Sequence, residues 1–429
     1  MSPRNTTPYR LLSHWLPITA FAVLAGCAVQ GGQRAPVATA PPVRESAPGA
    51  IAPPEQPPVV SAPTAAPPPA PTGGAQPVPL PPQPIPTPSV SAADGRALVA
   101  RLLPPGIADR YGWATDIYAA FAAMEIAPTP ENICAVVAVT EQESNFHADP
   151  RVPGLSRIAW KEIERQRSRS GIPKVVLWGA LALKSPNGKS YSARLDAVKT
   201  ERELSEIFED FIGMVPLAKP FLANRNPVRT GGPMQVSVAF AESHAAARPY
   251  PYPVQGSIRH EVFRRRGGMY FGIAHLLDYA ASYDSHIYRY ADFNAGHYAS
   301  RNAAFQHAVT QVSGILLALD GDLLRYEEGQ PVKEPGSTER ALRVLASRLK
   351  MSHAEIRRDL ERSRTAEFER SRLYFRLYVL ADNVARRPLP RAMLPRIDLK
   401  SPKITRKLTT DWFARRVDGR YQTCMARAL

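Results

Sequence analysis

The spacing of apolar positions changes character twice along the 429 residues. A short, mostly apolar run at residues 16–24 follows Arg4 and Arg10. A long stretch without periodicity comes next, and from Asp94 onward the 3.6-residue period of helices dominates. The pattern predicts helices over 94–103 and 107–125, the second with Trp113, Ile117, Ala120, Phe121 and Met124 on one face. A central helix follows from Thr129, and residues 149–230 read as irregular, with helices at 156–167 and 201–214. Thr230 to Val238 is a Gly-rich turn running into a short alternating segment. Residues 266–279 start an aromatic-rich helix, 288–298 end another, and 339–429 read as basic amphipathic helices. The expected fold class is therefore mainly α.

The central segment runs from Thr129 to Phe146. Thr129 suits a helix N-cap and Pro130 the first helical position, where its missing N–H costs nothing. No polar side chain interrupts residues 133–139, which marks a helix buried on every face. Two carboxylates close it, Glu141 and Glu143, about 200° apart around the axis. Glu143 continues the stripe of Val136, Val139 and Thr140, where partial desolvation would favour the neutral acid. That is what a general acid at neutral pH requires. The segment alone equally fits two carboxylates capping an exposed helix end.

Composition places the chain. The apolar run ends in Leu24-Ala25-Gly26-Cys27, the form of a bacterial lipobox, so residues 1–26 are expected to be a signal peptide. Cys27 would then carry lipid, and Ala28 after it points to the periplasmic face of an outer membrane. Residues 27–93 are expected to be a spacer: 20 of the 44 prolines fall between Pro36 and Pro88. Such a segment cannot bury a core and extends at about 3.1 Å per residue. Lipidation leaves two of the three cysteines, Cys134 and Cys424, in an oxidising compartment. A bridge between them is expected, two separate buried thiols being the alternative. The net charge of +16, or +14 without Arg4 and Arg10, favours anionic partners. In that compartment these are wall carboxylates or lipid phosphates, not nucleic acid. The nine histidines show no metal-ligand spacing, so neither metal nor cofactor is expected.

Three stretches suggest a sugar site, because pyranose faces stack on rings while hydroxyls take hydrogen bonds. They are Gly232-Pro233-Met234-Gln235, the helix with Gly268-Met269-Tyr270-Phe271, and Tyr290-Ala291-Asp292-Phe293-Asn294-Ala295-Gly296-His297-Tyr298. Each alone also fits ordinary core. Glu143-Ser144-Asn145-Phe146, Gly232-Pro233-Met234-Gln235, the Gly268–Phe271 helix and Phe293-Asn294-Ala295-Gly296 stand in the order found in the lysozyme-like lytic transglycosylases, and residues 107–310 resemble that family. The resemblance implies a goose-type lysozyme-like core within one domain at 94–429. An insertion at 148–230 would separate the first two motifs, and 331–429 would form a C-terminal helical extension. Pro233 stands where that family has Leu, and Phe293 where it has a tyrosine whose hydroxyl lies near the acid. Tyr290 and Tyr298 are the nearby hydroxyls.

The resemblance implies cleavage of the N-acetylmuramic acid–N-acetylglucosamine bond of peptidoglycan glycan strands, with Glu143 as the single acid and base. It makes Ser144 the residue that orients the acid. Phe146, Met234, Gln235, Tyr270, Tyr290, Phe293, Asn294 and Tyr298 would line the groove. Ordinary hydrolysis would need a second carboxylate, for which Asp292 and Asp149 are candidates. A binding protein with a degenerate site is the non-enzymatic alternative.

Overall fold

The computed structural model describes residues 91–214, 226–283, 285–327, 330–399 and 408–429. The expected signal peptide, Cys27 and nearly all of the proline-rich spacer lie outside the described residues. Within them the protein is mainly α-helical, with three two-stranded antiparallel ribbons. No helix among the described residues is long and apolar enough to cross a membrane.

The first three helices are α1 (Ala92–Leu102), α2 (Arg110–Ala123) and α3 (Pro130–Ser144). The local signals for α3 act as its sequence demands. The Thr129 side chain accepts from the Asn132 N–H, Pro130 opens the helix, and Ile133 through Thr140 are buried. Each fully buried Ile or Val there contributes about 1.5–3 kcal/mol relative to exposure.

Four helices then form a lobe of their own: α4 (Leu155–Arg169), α5 (Lys174–Leu181), α6 (Tyr191–Ala197) and α7 (Glu201–Gly213). Leu155, Ile163, Leu181, Tyr191, Leu195, Phe208 and Phe211 belong to a hydrophobic cluster distinct from that around α3. α7 is opened by a reciprocal capping box of Thr200 and Glu203. The lobe occupies the interval expected to be inserted.

The hairpin β1 (Thr230–Gly231) and β2 (Val236–Ser237) returns the chain to the central core. After it come α8 (Val238–Ala247), α9 (Ile258–Val262), α10 (Arg265–Leu277) and α11 (His286–Ala295). α10 is buried from Gly267 to Ala274, a run with no charged side chain. The central core therefore holds two nearly enclosed helices, α3 and α10.

α12 (Ala299–Ser313) leads into a third core, passing the ribbon β3 (Tyr326–Glu327) and β4 (Gln330–Pro331). Its other helices are α13 (Ser337–Val344), α14 (Ala346–Leu349), α15 (His353–Leu360) and α16 (Arg372–Ala385). Phe305, Leu342, Ile356, Phe368, Leu373 and Leu377 fill it. The expected C-terminal extension thus divides. Residues 305–389 pack on themselves, whereas α17 (Thr410–Met425), reached through the ribbon β5 (Asp398–Leu399) and β6 (Leu408–Thr409), enters the central core.

A disulfide joins Cys134 of α3 to Cys424 of α17, with Cα atoms 5.5 Å apart and 290 residues between them in sequence. Arg420 of α17 pairs with Glu141 one turn below the end of α3. The two helices therefore run antiparallel. Replacing Cys424 by Ala should cost about 2–5 kcal/mol in urea unfolding. Reductant should lower the parent's stability toward that of the variant and leave the variant unchanged.

Candidate functional site

Glu143 lies in the last turn of α3, half-buried, directly above a fully buried stripe of Val136, Val139 and Thr140. The chain then turns sharply. Asn145 (φ 49°) and Phe146 (φ 60°) both take the left-handed conformation, uncommon for residues with a side chain. The Phe146 ring is buried edge-on against Trp113 of α2, centroids 5.2 Å apart. The Ser144 hydroxyl donates to the Thr140 carbonyl (3.1 Å) within the helix.

The second motif is the turn of the β1–β2 hairpin, where Gln235 is left-handed (φ 51°) and half-buried. The Gln235 Nε2 donates to the Gly232 carbonyl at 3.3 Å. Met234 is fully buried and rests on α10, where Gly272 admits it and Gly268 admits Pro233. A methyl group on Gly272 would stand 2.6 Å from Met234 Cβ, and one on Gly268 would stand 2.7 Å from the Val262 carbonyl oxygen. The Met234 side chain is thus a core anchor, and Gln235 is the residue of this motif left nearer the surface.

α10 meets the other motifs too. The Thr140 hydroxyl of α3 lies 3.9 Å from Met269 Sδ. Farther along, the His275 ring packs on Phe293 of α11 (5.0 Å), and its Nε2–H donates to the Phe293 carbonyl at 3.3 Å. Asn294 is exposed beside Phe293, and its Oδ1 accepts from the Thr410 hydroxyl at the start of α17 (3.2 Å). With Arg420 and Glu141 the circuit closes from α3 through α10, α11 and α17 back to α3. The Glu143, Gln235 and Asn294 segments are brought into one framework. Thr410 and Arg420, absent from the sequence-based site, complete it. The signal for Arg420 was its place four residues before Cys424, on the same helical face.

Several ring positions do not line a groove as expected. Tyr270 and Tyr290 have no exposed surface. The Tyr270 hydroxyl bonds His244 Nε2 at 3.3 Å. The Tyr290 hydroxyl is buried without a hydrogen-bond partner, and its ring lies against His286 and Tyr421. Tyr298 is 6% exposed, packed over the Arg301 guanidinium at 4.2 Å. Tyr270 is core because α10 is enclosed, and Tyr290 because it lies on the buried face of α11.

Neither candidate second carboxylate is available. Asp292 is fully buried and accepts from the Tyr279 hydroxyl (3.1 Å), the Tyr283 hydroxyl (2.7 Å), the Tyr298 N–H (2.9 Å) and the Ser300 N–H (2.7 Å). Burial pushes its carboxyl above the ordinary aspartate range despite those bonds. It ties the α11–α12 turn together. Asp149 is bound to Arg202 at 2.8 Å. Among the described residues no cluster of three or more His, Cys, Asp or Glu is placed to hold a metal ion.

A family model described as a protein of unknown function, DUF1615, matches residues 106–427. The chain belongs to that family. The matched span takes in α3, the intervening lobe, α10, α11 and α17. A relative in Escherichia coli (strain K12), described as uncharacterized protein YaiW, is 56% identical over 334 residues, 78% of this chain and 90% of its own length. No solved structure matches the chain.

Two expectations follow for this framework. Gly268→Ala forces a methyl onto a backbone carbonyl and should cost about 1–3 kcal/mol in chemical denaturation. His275 supplies a pH dependence. Its Nδ1 is closed off without a partner, and burial, with His297 stacked at 4.5 Å, lowers its pKa to about 3. Below about pH 6.5 the unfolded chain takes up a proton that the native ring refuses. Stability should thus be fully present above that pH and fall as pH drops toward 3, by up to about 1.4 kcal/mol per pH unit. His275→Phe should lower the plateau at neutral pH and flatten the slope by one proton in urea titrations.

Proposed function

We propose that this protein is a lipid-anchored outer-membrane enzyme that cleaves peptidoglycan strands without water, with a lysozyme-like central core. The observation that carries the reading is that the helix ending in Glu143, the Gly232–Gln235 turn and the Phe293-Asn294 segment all pack on α10, through Thr140, Met234 and Phe293. Its support is strengthened by backbone strain. Asn145, Phe146, Gln235 and Tyr298 are four of the eight left-handed non-glycine residues among those described. The first three fall in the Glu143–Phe146 and Gly232–Gln235 motifs and Tyr298 lies two residues past Gly296, and strain of this kind persists where the surroundings over-determine it, commonly at active sites.

In the proposed reaction the protonated Glu143 donates to the oxygen linking N-acetylmuramic acid to N-acetylglucosamine, and the bond to the muramyl C1 breaks. The resulting carboxylate removes the proton from the muramyl 6-hydroxyl, whose oxygen bonds to C1 and closes a 1,6-anhydro ring. One carboxyl group thus acts as acid and then as base. Asn294 and Gln235 offer amides to sugar hydroxyls, and the basic surface attracts an anionic wall polymer. No metal or cofactor enters. The Leu24-Ala25-Gly26-Cys27 sequence supports anchoring through Cys27.

A hydrolase of the same bond is disfavoured because Asp292 is enclosed by four donors and Asp149 is held by Arg202. A binding protein with a degenerate site is favoured by one observation. Phe293 lacks the hydroxyl that lytic transglycosylases carry at the corresponding place, and Tyr290 turns its own into the core.

Digestion of purified sacculi followed by mass spectrometry separates the three. Anhydro-ended muropeptides are expected; reducing ends would identify the hydrolase, and intact sacculi that retain the protein would identify the binder. Glu143→Gln should lower cleavage by about 10²–10⁴-fold and leave sacculus binding intact. Glu141→Gln should keep cleavage while losing about 1 kcal/mol of stability with its Arg420 pair.

A further inference from the structure

α5 is apolar on every face, with no charged residue between Lys174 and Lys184. A helix of that composition is ordinarily enclosed. Leu177 and Leu181 are buried in the lobe, and Val176 and Ala180 pack partly against it. Val175, Trp178, Gly179 and Ala182, spaced i, i+3, i+4 and i+7, form a second stripe facing solvent, and Leu183 extends it. Val175 is 77% exposed, Trp178 54% and Leu183 52%. The neighbouring α4 has an ordinary surface: its exposed positions include Arg157, Lys161 and Arg169. Trp178 is also braced from behind, stacked on Trp160 at 5.3 Å, while the Trp160 indole N–H donates to Asp196 at 2.8 Å.

We propose that the outward face of α5, Val175, Trp178, Ala182 and Leu183, is a contact for a bilayer surface bearing anionic head groups. Its composition selects that occupant. An eight-residue helix is only about 12 Å long, so it lies in the interface plane instead of spanning it. Tryptophan partitions to the interface, and aliphatic side chains beside it enter the acyl boundary. Lys174 at one end and Lys184 and Lys189 at the other are exposed, placed to reach lipid phosphates while their stems cover apolar surface. The stripe carries no hydrogen-bonding side chain except the indole, which is unlike a sugar platform. The same lysines at both ends would oppose each other if two copies paired through this face. The inference is independent of the proposed chemistry at Glu143.

The test uses the full chain carrying Cys27→Ser, which removes the acyl attachment point. It is sedimented with vesicles of mixed phosphatidylglycerol and phosphatidylethanolamine, and with vesicles of phosphatidylcholine. The anionic vesicles should capture it more strongly, in a salt-sensitive way. The triple variant Val175→Ser/Trp178→Ser/Leu183→Ser should bind them about tenfold less, and Lys184→Gln about fivefold less. Any contribution from residues 16–24 is common to parent and variants and cancels in the ratio. A blue shift of tryptophan emission on vesicle addition should be present in the parent and absent in Trp178→Phe, which keeps an aromatic ring at that position. Equal capture of parent and triple variant, with the emission shift retained in Trp178→Phe, overturns the proposal. So does loss of sacculus binding or of dimerisation in the triple variant with vesicle capture unchanged.

Discussion

The close approach of the β1–β2 hairpin to α10 sets the geometry of the central core. Gly268 and Gly272 leave no side chain between the helix axis and the turn, so Met234 and Pro233 lie directly on helix backbone. Side chains larger than hydrogen at those two positions would push the hairpin outward, and Gln235 with it. On other faces the same helix touches α3 through Met269 and α11 through His275. One buried helix therefore sets the relative positions of segments separated in sequence by about a hundred residues. Interiors packed at this density transmit small displacements instead of absorbing them.

The intervening lobe fits that logic. It has its own hydrophobic cluster and its own caps, and it leaves and rejoins the central core beside the hairpin. A unit that satisfies itself can be placed between two motif-bearing elements without disturbing the packing that holds them. The third core, from Phe305 to Leu389, is similarly self-contained. It joins the centre through α11 and α12, whose turn is organised by the buried Asp292.

What the sequence disclosed followed from how local each signal was. The start and burial of α3 were readable because Thr129, Pro130 and an uninterrupted apolar run are adjacent in the chain. α7 was readable from its strong amphipathic period. α5 and α6, eight and seven residues long, carry too few turns for a period to register, and their helicity rests on packing within the lobe. The aromatic motifs were legible as unusual but not as to direction. An aromatic residue next to amides suits a groove and a core equally, and only the enclosure of α10 and the packing of one face of α11 turned Tyr270 and Tyr290 inward. The role of α17 was announced by Cys424 alone. Its bond from Thr410 to Asn294 spans 116 residues and left no trace in spacing.

The position of α17 has a consequence for the order in which this molecule becomes complete. It covers the back of α3 and braces α11, so the central core lacks one wall until a segment nearly three hundred residues downstream of Cys134 arrives. A polypeptide halted before Thr410 would present Val and Ile side chains of α3 to water and leave one thiol unmatched. Asn294 would also lose the hydroxyl that steadies it. Such fragments would be sticky and incompetent, so the framework around Glu143 is assembled only in molecules synthesised past residue 424.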